Sequence, residues 1–228
     1  LKDYGVFLGI DPEDIERLDD YKIVVIEPSL FDKDQIDRLH NSGKIVYGYL
    51  NIGSLENYRS YYEDFKDLVL GKYENWEDEE WLDVSDKDWQ DFISLKAAKE
   101  YADKGIDGFF IDNADVYYHY RRPDIFEGIC NILANLKAYN ISVIINGADS
   151  FVSECIDKDI YSGLFDAVNQ ESVFTRIDFD NLKYYEQDED TRSYYLDYLN
   201  LVKSSGIRVY LLEYGADEST AEKIASYC

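Results

Sequence analysis

Lys104-Gly105-Ile106-Asp107-Gly108-Phe109-Phe110-Ile111-Asp112-Asn113 closes one structural element and completes another. A helical stretch from Asp88 to Lys104 runs up to Gly105, and glycine just past a helix suits the left-handed C-terminal cap. An apolar run then fills Gly108–Asn113 and turns polar only at its last two residues. A helix, a glycine and a buried strand in that order form the unit of βαβ folds.

The same order repeats on both sides of that stretch. Strands are expected at Tyr4–Gly9, Lys22–Glu27, Lys44–Asn51, Trp81–Val84, Gly108–Asn113, Ser142–Asn146, Ala167–Glu171 and Arg208–Tyr214. Runs such as Ile23-Val24-Val25-Ile26 and Val143-Ile144-Ile145 are apolar throughout, as strands buried on both faces of a parallel sheet are. Between them, Asp11 before Pro12 reads as an N-cap followed by a first helical proline. Helices over Asp32–Asn41 and Asp190–Ser205 run up to Gly43 and Gly206, and Ile125, Ile129, Ile132, Leu133 and Leu136 form an apolar stripe after Pro123. Eight strands with interleaved helices predict an α/β chain, a (β/α)8 TIM barrel in a single domain over residues 1–228. The tyrosine-rich, acidic stretch at about 53–80 is expected to be a long, partly helical βα loop over the barrel mouth. A doubly wound sheet is the competing topology, but no Gly-x-Gly-x-x-Gly or P-loop is present.

Composition narrows the partners. With 46% hydrophobic and 31% charged residues the chain is globular, and no apolar run approaches the roughly 18 residues of a membrane-spanning helix. A formal charge of −25 repels nucleic acid and draws cationic partners, although the same excess also serves solubility. The 22 tyrosines suit stacking on sugar rings as well as packing helices onto a sheet. Cys130, Cys155 and Cys228 have no metal-type spacing, and a buried free thiol is expected at Cys130. The chain begins at Leu1 and contains no Met, which fits removal of a signal peptide and a secreted or cell-surface protein, as well as deliberate truncation.

Barrel enzymes build their sites from strand C-terminal ends. Here those ends carry Glu27, Tyr49 and Asn51, Asp83, Asp112 and Asn113, Asn146, Glu171, and Glu213 with Tyr214. Any one strand-end Asp can instead cap the following helix. Many carboxylates at one mouth suit glycoside hydrolysis, where one carboxyl protonates the glycosidic oxygen and a second attacks the anomeric carbon or activates water. Of the two histidines, His40 lies on a helix and His119 in the Tyr117–Tyr120 run, where a solvated loop position is the expectation. Neither is placed for a histidine metal centre or a Ser-His-Asp triad. No metal site and no cofactor is expected, and an all-carboxylate Ca²⁺ or Mg²⁺ site stays as the weaker alternative.

Gly48-Tyr49-Leu50-Asn51-Ile52-Gly53-Ser54-Leu55-Glu56-Asn57-Tyr58-Arg59 resembles the strand-three signature of glycoside hydrolase family 114, and Gly105 through Asp115 its strand-five signature. Asn75-Trp76 through Trp81-Leu82-Asp83-Val84 and Trp89 resembles its strand-four region, and Gln170-Glu171-Ser172-Val173-Phe174 its strand-seven signature. That family comprises (β/α)8 endo-α-1,4-polygalactosaminidases, some close to bacterial enzymes that trim Pel-type biofilm polysaccharide. The resemblance implies Asp112 as nucleophile and Glu171 as acid/base. Gln170 stands where other members carry the first of two glutamates, and Phe110 where some fungal members are acidic, which places the chain nearer the bacterial branch. It also implies an endo-acting glycosidase on a cationic, partly deacetylated galactosamine polymer. Glu27, Tyr49, Asn51, Asp83, Asn113, Asp115, Asn146, Glu213 and Tyr214 would hold substrate groups. Retaining and inverting geometries both remain open. A non-catalytic glycan-binding barrel and a carboxylate-bound metal hydrolase are the alternative readings.

Overall fold

A computed structural model describes residues 2–74, 76–178, 181 and 183–228. Leu1, and Asn75 at the head of the strand-four motif, lie outside the described residues. The chain gathers into two compact units, residues 1–166 and 167–228.

In the first unit the strands are β1 (Lys2–Phe7), β2 (Tyr21–Ile26), β3 (Ile45–Asn51), β4 (Ser54–Glu56), β5 (Val69–Lys72), β6 (Glu79–Leu82), β7 (Gly108–Asp112) and β8 (Ser142–Asn146). A parallel sheet runs in the order β1-β2-β3-β7-β8. Val24–Ile26, Phe109–Ile111 and Val143–Ile145 are buried along their lengths, which accounts for strands apolar on both faces. The register sets Asn51 beside Asp112 and Phe110 beside Ile144, so neighbouring strands end level.

The fourth expected strand is displaced. Instead of Trp81–Val84 it is β6, antiparallel to β4 and β5 in a separate three-stranded sheet, and β3 pairs directly with β7. The chain leaves β3 through Gly53, where a Cβ would stand 1.8 Å from the Asn113 backbone carbonyl oxygen. Only glycine passes that close. Beyond it the Leu82 amide donates to the Gly53 carbonyl at 3.0 Å, which draws β6 to the departing segment and away from the parallel sheet. The stretch expected as a single long loop therefore holds β4, β5 and two short helical turns.

Helix signals are mostly met. Asp32 and Gln35 form a capping box on Lys33–Asn41, and Gly43 follows at φ +83°. The helix before Gly105 is Lys87–Asp91, a π-helical segment at Phe92–Ala97, then Ala98–Lys104, with Gly105 at φ +98°. Asp11 caps a 3₁₀ helix, Pro12–Leu18, rather than an α-helix. The stripe Ile125, Ile129, Ile132, Leu133 and Leu136 is completely buried along Pro123–Lys137. Cys130 and Cys155 are free, Cys130 half-buried and Cys155 buried.

In the second unit β9 (Ala167–Glu171) lies parallel to β12 (Arg208–Leu212), with Glu171 beside Leu212. Between them β10 (Thr175–Asp178) and β11 (Lys183–Glu186) form an antiparallel hairpin. Asp188 caps the helix Glu189–Ser204, and a last helix spans Glu218–Tyr227. Among the described residues no helix is long and apolar enough to cross a membrane.

Candidate active site

Asp112 ends β7 with its carboxylate held from both flanking strands. Tyr49 of β3 donates its hydroxyl to Oδ2 at 2.9 Å, and Asn146, the last residue of β8, donates Nδ2 to Oδ1 at 3.0 Å. Three strand-end residues expected from sequence therefore meet. Burial raises the Tyr49 phenol well above its ordinary pKa, and the charges of Asp112, Glu56 and Glu79 add to the effect. It stays a proton donor throughout the working range of pH. The chain turns sharply at Asn113, whose φ is +64°.

Asn51 and Asn113 are 4% and 3% exposed and face a carboxylate that the sequence did not single out, Glu79 of β6. Both side-chain amides donate to the Ser54 hydroxyl, at 2.7 and 2.9 Å. Ser54 in turn donates to Glu79 at 2.6 Å, and Asn113 also reaches Glu79 at 3.2 Å. Tyr73 donates to the side-chain oxygen of Asn113 at 3.2 Å. Glu79 binds its proton more tightly than an ordinary glutamate, through burial first and then the charges of Glu56 and Asp112. It sits in the run Glu77-Asp78-Glu79-Glu80, which reads as a solvated face. Its signal is the two-residue spacing to the buried Trp81, which puts both on one face of β6.

Glu27, Asp83 and Asp115 are occupied by the protein itself. Glu27 caps a short 3₁₀ helix through Ser29 and pairs with Arg59 at 2.8 Å, while Tyr101 donates to it at 3.3 Å. Arg59 also grips Glu56, so one guanidinium ties β2 to the segment after β4. Asp83 accepts from the Ser85 amide and hydroxyl and pairs with Arg122 at 3.2 Å, while the cap of the following helix is Asp86. Asp115 accepts from the Ala148 amide at 3.0 Å. Its carboxyl is pushed up to about 7 by burial and by the charge of Asp112. His119 ends the short helix Val116–His119 rather than lying in a loop and is exposed as expected, with its ring against Trp81: Trp81 lies 4.3 Å from Tyr73 and 4.5 Å from His119 between centroids.

The second unit repeats the Tyr–carboxylate pattern. Tyr214 donates its hydroxyl to Glu171 Oε2 at 2.6 Å at the end of β9. Ser172 follows at φ +56°, another sharp strand end. Glu213 is a brace: its two oxygens accept from the amides of Val173, Phe174 and Thr175 and from the Thr175 hydroxyl, all within 3.2 Å. Among the described residues no three His, Cys, Asp or Glu side chains converge to hold a metal ion.

The sequence pattern of glycoside-hydrolase family GH114 matches residues 6–228. A variant of the glycoside hydrolase domain of PelA from Pseudomonas aeruginosa is similar in structure, with TM-score 0.81 and 18% identity over 99% of this chain and 90% of that one. Ega3 from Aspergillus fumigatus, solved in complex with galactosamine, gives TM-score 0.71 and 19% identity over 96% of this chain and 83% of that one. These likenesses show the fold, the (β/α)8 barrel class expected from sequence. An uncharacterized protein of Deinococcus radiodurans is 28% identical over 170 residues, 68% of this chain; the match spans 54% of that relative.

Proposed function

Because the chain belongs to glycoside-hydrolase family GH114 and is a glycosidase, we propose that it cleaves a galactosamine-containing polysaccharide within the chain, using Asp112 and Glu171. The observation that carries the reading is the family match over residues 6–228, which includes both carboxylates. The galactosamine complex of Ega3 supports the sugar class, and a formal charge of −25 supports a polymer with free ammonium groups.

Asp112 attacks the anomeric carbon while Glu171 protonates the departing glycosidic oxygen; Glu171 then takes a proton from the water that releases the sugar. Tyr49 and Asn146 fix the plane of the Asp112 carboxylate, and Tyr214 fixes that of Glu171. Fixed orientation matters because a misplaced reacting atom loses much of the proximity advantage. A secreted or cell-surface location belongs to the same reading.

The test is product analysis on partly deacetylated galactosamine polymer and on a neutral glucan, with wild type, Asp112→Asn and Glu171→Gln. Wild type should yield short oligomers from the first substrate alone, and each variant should lose on the order of 10³-fold in kcat. Full turnover by Asp112→Asn, or hydrolysis of the glucan alone, overturns the proposal.

A further inference from the structure

Asp115 stands where a helix N-cap belongs, immediately before Val116–His119, yet its side chain makes no cap hydrogen bond to that helix. It reaches across to the loop after β8. Oδ1 accepts from the Ala148 amide at 3.0 Å, and a Cβ on Gly147 would stand 3.1 Å from Oδ2. Gly147 and Ala148 both lie in the left-handed region, at φ +61° and +55°. Two such residues in succession are uncommon, and for the alanine the conformation carries a steric cost that something must offset. The carboxylate does so, because it satisfies the amide that the turn directs towards it.

The residue before that turn is Asn146, whose Nδ2 holds Asp112 Oδ1 at 3.0 Å. Asp112 and Asp115 themselves belong to one tight loop, in which the Val116 amide donates to the Asn113 carbonyl at 3.1 Å. The loops after β7 and β8 are therefore clamped together by one hydrogen bond, and a second reaches the Asp112 carboxylate. We infer that Asp115 is a positioning residue for Asp112: it keeps the Gly147-Ala148 turn in place, and the turn keeps Asn146 aimed at the carboxylate. The inference rests on the reading of Asp112 as the nucleophile.

A side chain that merely stabilises the loop would alter melting and leave turnover of the folded protein alone. A positioning residue alters kcat. In steady-state hydrolysis of partly deacetylated galactosamine polymer by the full chain, Asp115→Ala should lower kcat on the order of 100-fold, with KM changed by less than about threefold. Asp115→Asn keeps an oxygen for the Ala148 amide and should recover kcat to within about fivefold of wild type. Hydrogen exchange at the Ala148 amide should quicken about tenfold in the alanine variant and little in the asparagine variant.

Should Asp115→Ala fail to fold, Asp115→Glu takes its place; its extra methylene displaces the acceptor, and the same loss of kcat is expected. Wild-type kcat in a folded Asp115→Ala or Asp115→Glu, with Asp112→Asn inactive beside it, overturns the assignment. So does unchanged Ala148 exchange in those variants. Full activity in Asp112→Asn overturns instead the reading of Asp112 on which the assignment rests.

Discussion

The hydroxyl of Tyr49 on β3 donates to the carboxylate of Asp112 on β7 at 2.9 Å across two strands that pair in parallel. Within the other unit Tyr214 does the same for Glu171 at 2.6 Å. In each case a buried or half-buried phenol, itself a neutral group, orients a strand-end carboxylate. A lysine or arginine there would pair with the charge of Asp112 and, on the proposed role of Asp112, blunt its attack; a phenol holds the plane at less cost in reactivity.

Tyr49→Phe removes that donor and keeps the ring. A hydrogen bond to a charged group contributes about 1.5–3 kcal/mol, so kcat on the proposed polymer should fall roughly 10- to 100-fold while the chain stays folded. Steady-state kinetics with circular dichroism as a folding check decide it. An unaltered kcat would remove Tyr49 from the account of how Asp112 is oriented.

Glu213→Ala should destabilise the second unit by about 3 kcal/mol or more. It strips the acceptor from the amides of Val173, Phe174 and Thr175 together, and unsatisfied buried amides are costly. Glu213→Gln keeps one acceptor oxygen and should lose less. Urea unfolding monitored by tyrosine fluorescence reads the difference; equal midpoints for Glu213→Ala and wild type would contradict the bracing role.

The parallel strands are legible in the sequence because burial on both faces leaves no choice of residue at Val143–Ile145 or Phe109–Ile111. Asp112, Tyr49 and Asn146 are legible because parallel register brings strand ends level. β4 and β5, at three and four residues, are too short for alternation to register. The fate of the fourth strand turned on a backbone approach at Gly53, which residue pattern does not encode. Glu213 shares the sequence signature of Glu171, yet the fold of residues 172–175 decides that one is saturated by backbone amides. Glu79 was hidden in an acidic run, and the pairing of β6 with β4 sets it opposite Glu56 in a half-buried position.

Gly53→Ala tests the close passage that displaces β6. Its Cβ would meet the Asn113 backbone carbonyl oxygen at 1.8 Å, an atom that cannot swing aside alone. The expected loss is about 3 kcal/mol or more, at the upper end for overpacking, with activity falling because Asn113 adjoins Asp112. Gly163→Ala, where a Cβ meets nothing within 4 Å, is the control and should change stability by less than about 0.5 kcal/mol. Matching urea midpoints for the two variants would show that the chain bypasses the contact.

Salt should slow the enzyme on a charged polymer and leave it unaffected on a neutral one. The net charge of −25 attracts ammonium groups over roughly 10 Å at 0.1 M salt and over much less at 1 M. A several-fold drop in kcat/KM between low and high salt is expected for the partly deacetylated polymer, with no drop for a fully acetylated form that is also cleaved. A flat salt profile on the deacetylated polymer would mean that charge does not steer binding.

Asp115 makes stability depend on pH in a direction opposite to that of an ion-paired carboxylate. Its pKa is raised from the ordinary 3.8 to about 7, by burial first and then by Asp112 and Asp149, while Tyr73 also faces it as a neutral phenol. Between those two values the unfolded chain has released a proton that the folded chain retains. The folded state thus binds more protons, and stability falls as pH rises through that window. Below about pH 4 the carboxyl is protonated in both states and carries no penalty. Asp115→Asn cannot ionise but still offers an oxygen to Ala148, so its advantage over wild type should be absent at pH 4 and largest near pH 8. At about 1.4 kcal/mol for each tenfold change in proton affinity the gain reaches at most about 4 kcal/mol, a rise of several degrees in Tm for a chain of this size. His40 lies beside Asp107 and His119 beside Glu74. They are common to both proteins and cancel in the difference curve, which isolates Asp115. Melting curves for the two proteins that stay parallel from pH 4 to pH 8 would show that the fold leaves this carboxyl at its ordinary proton affinity.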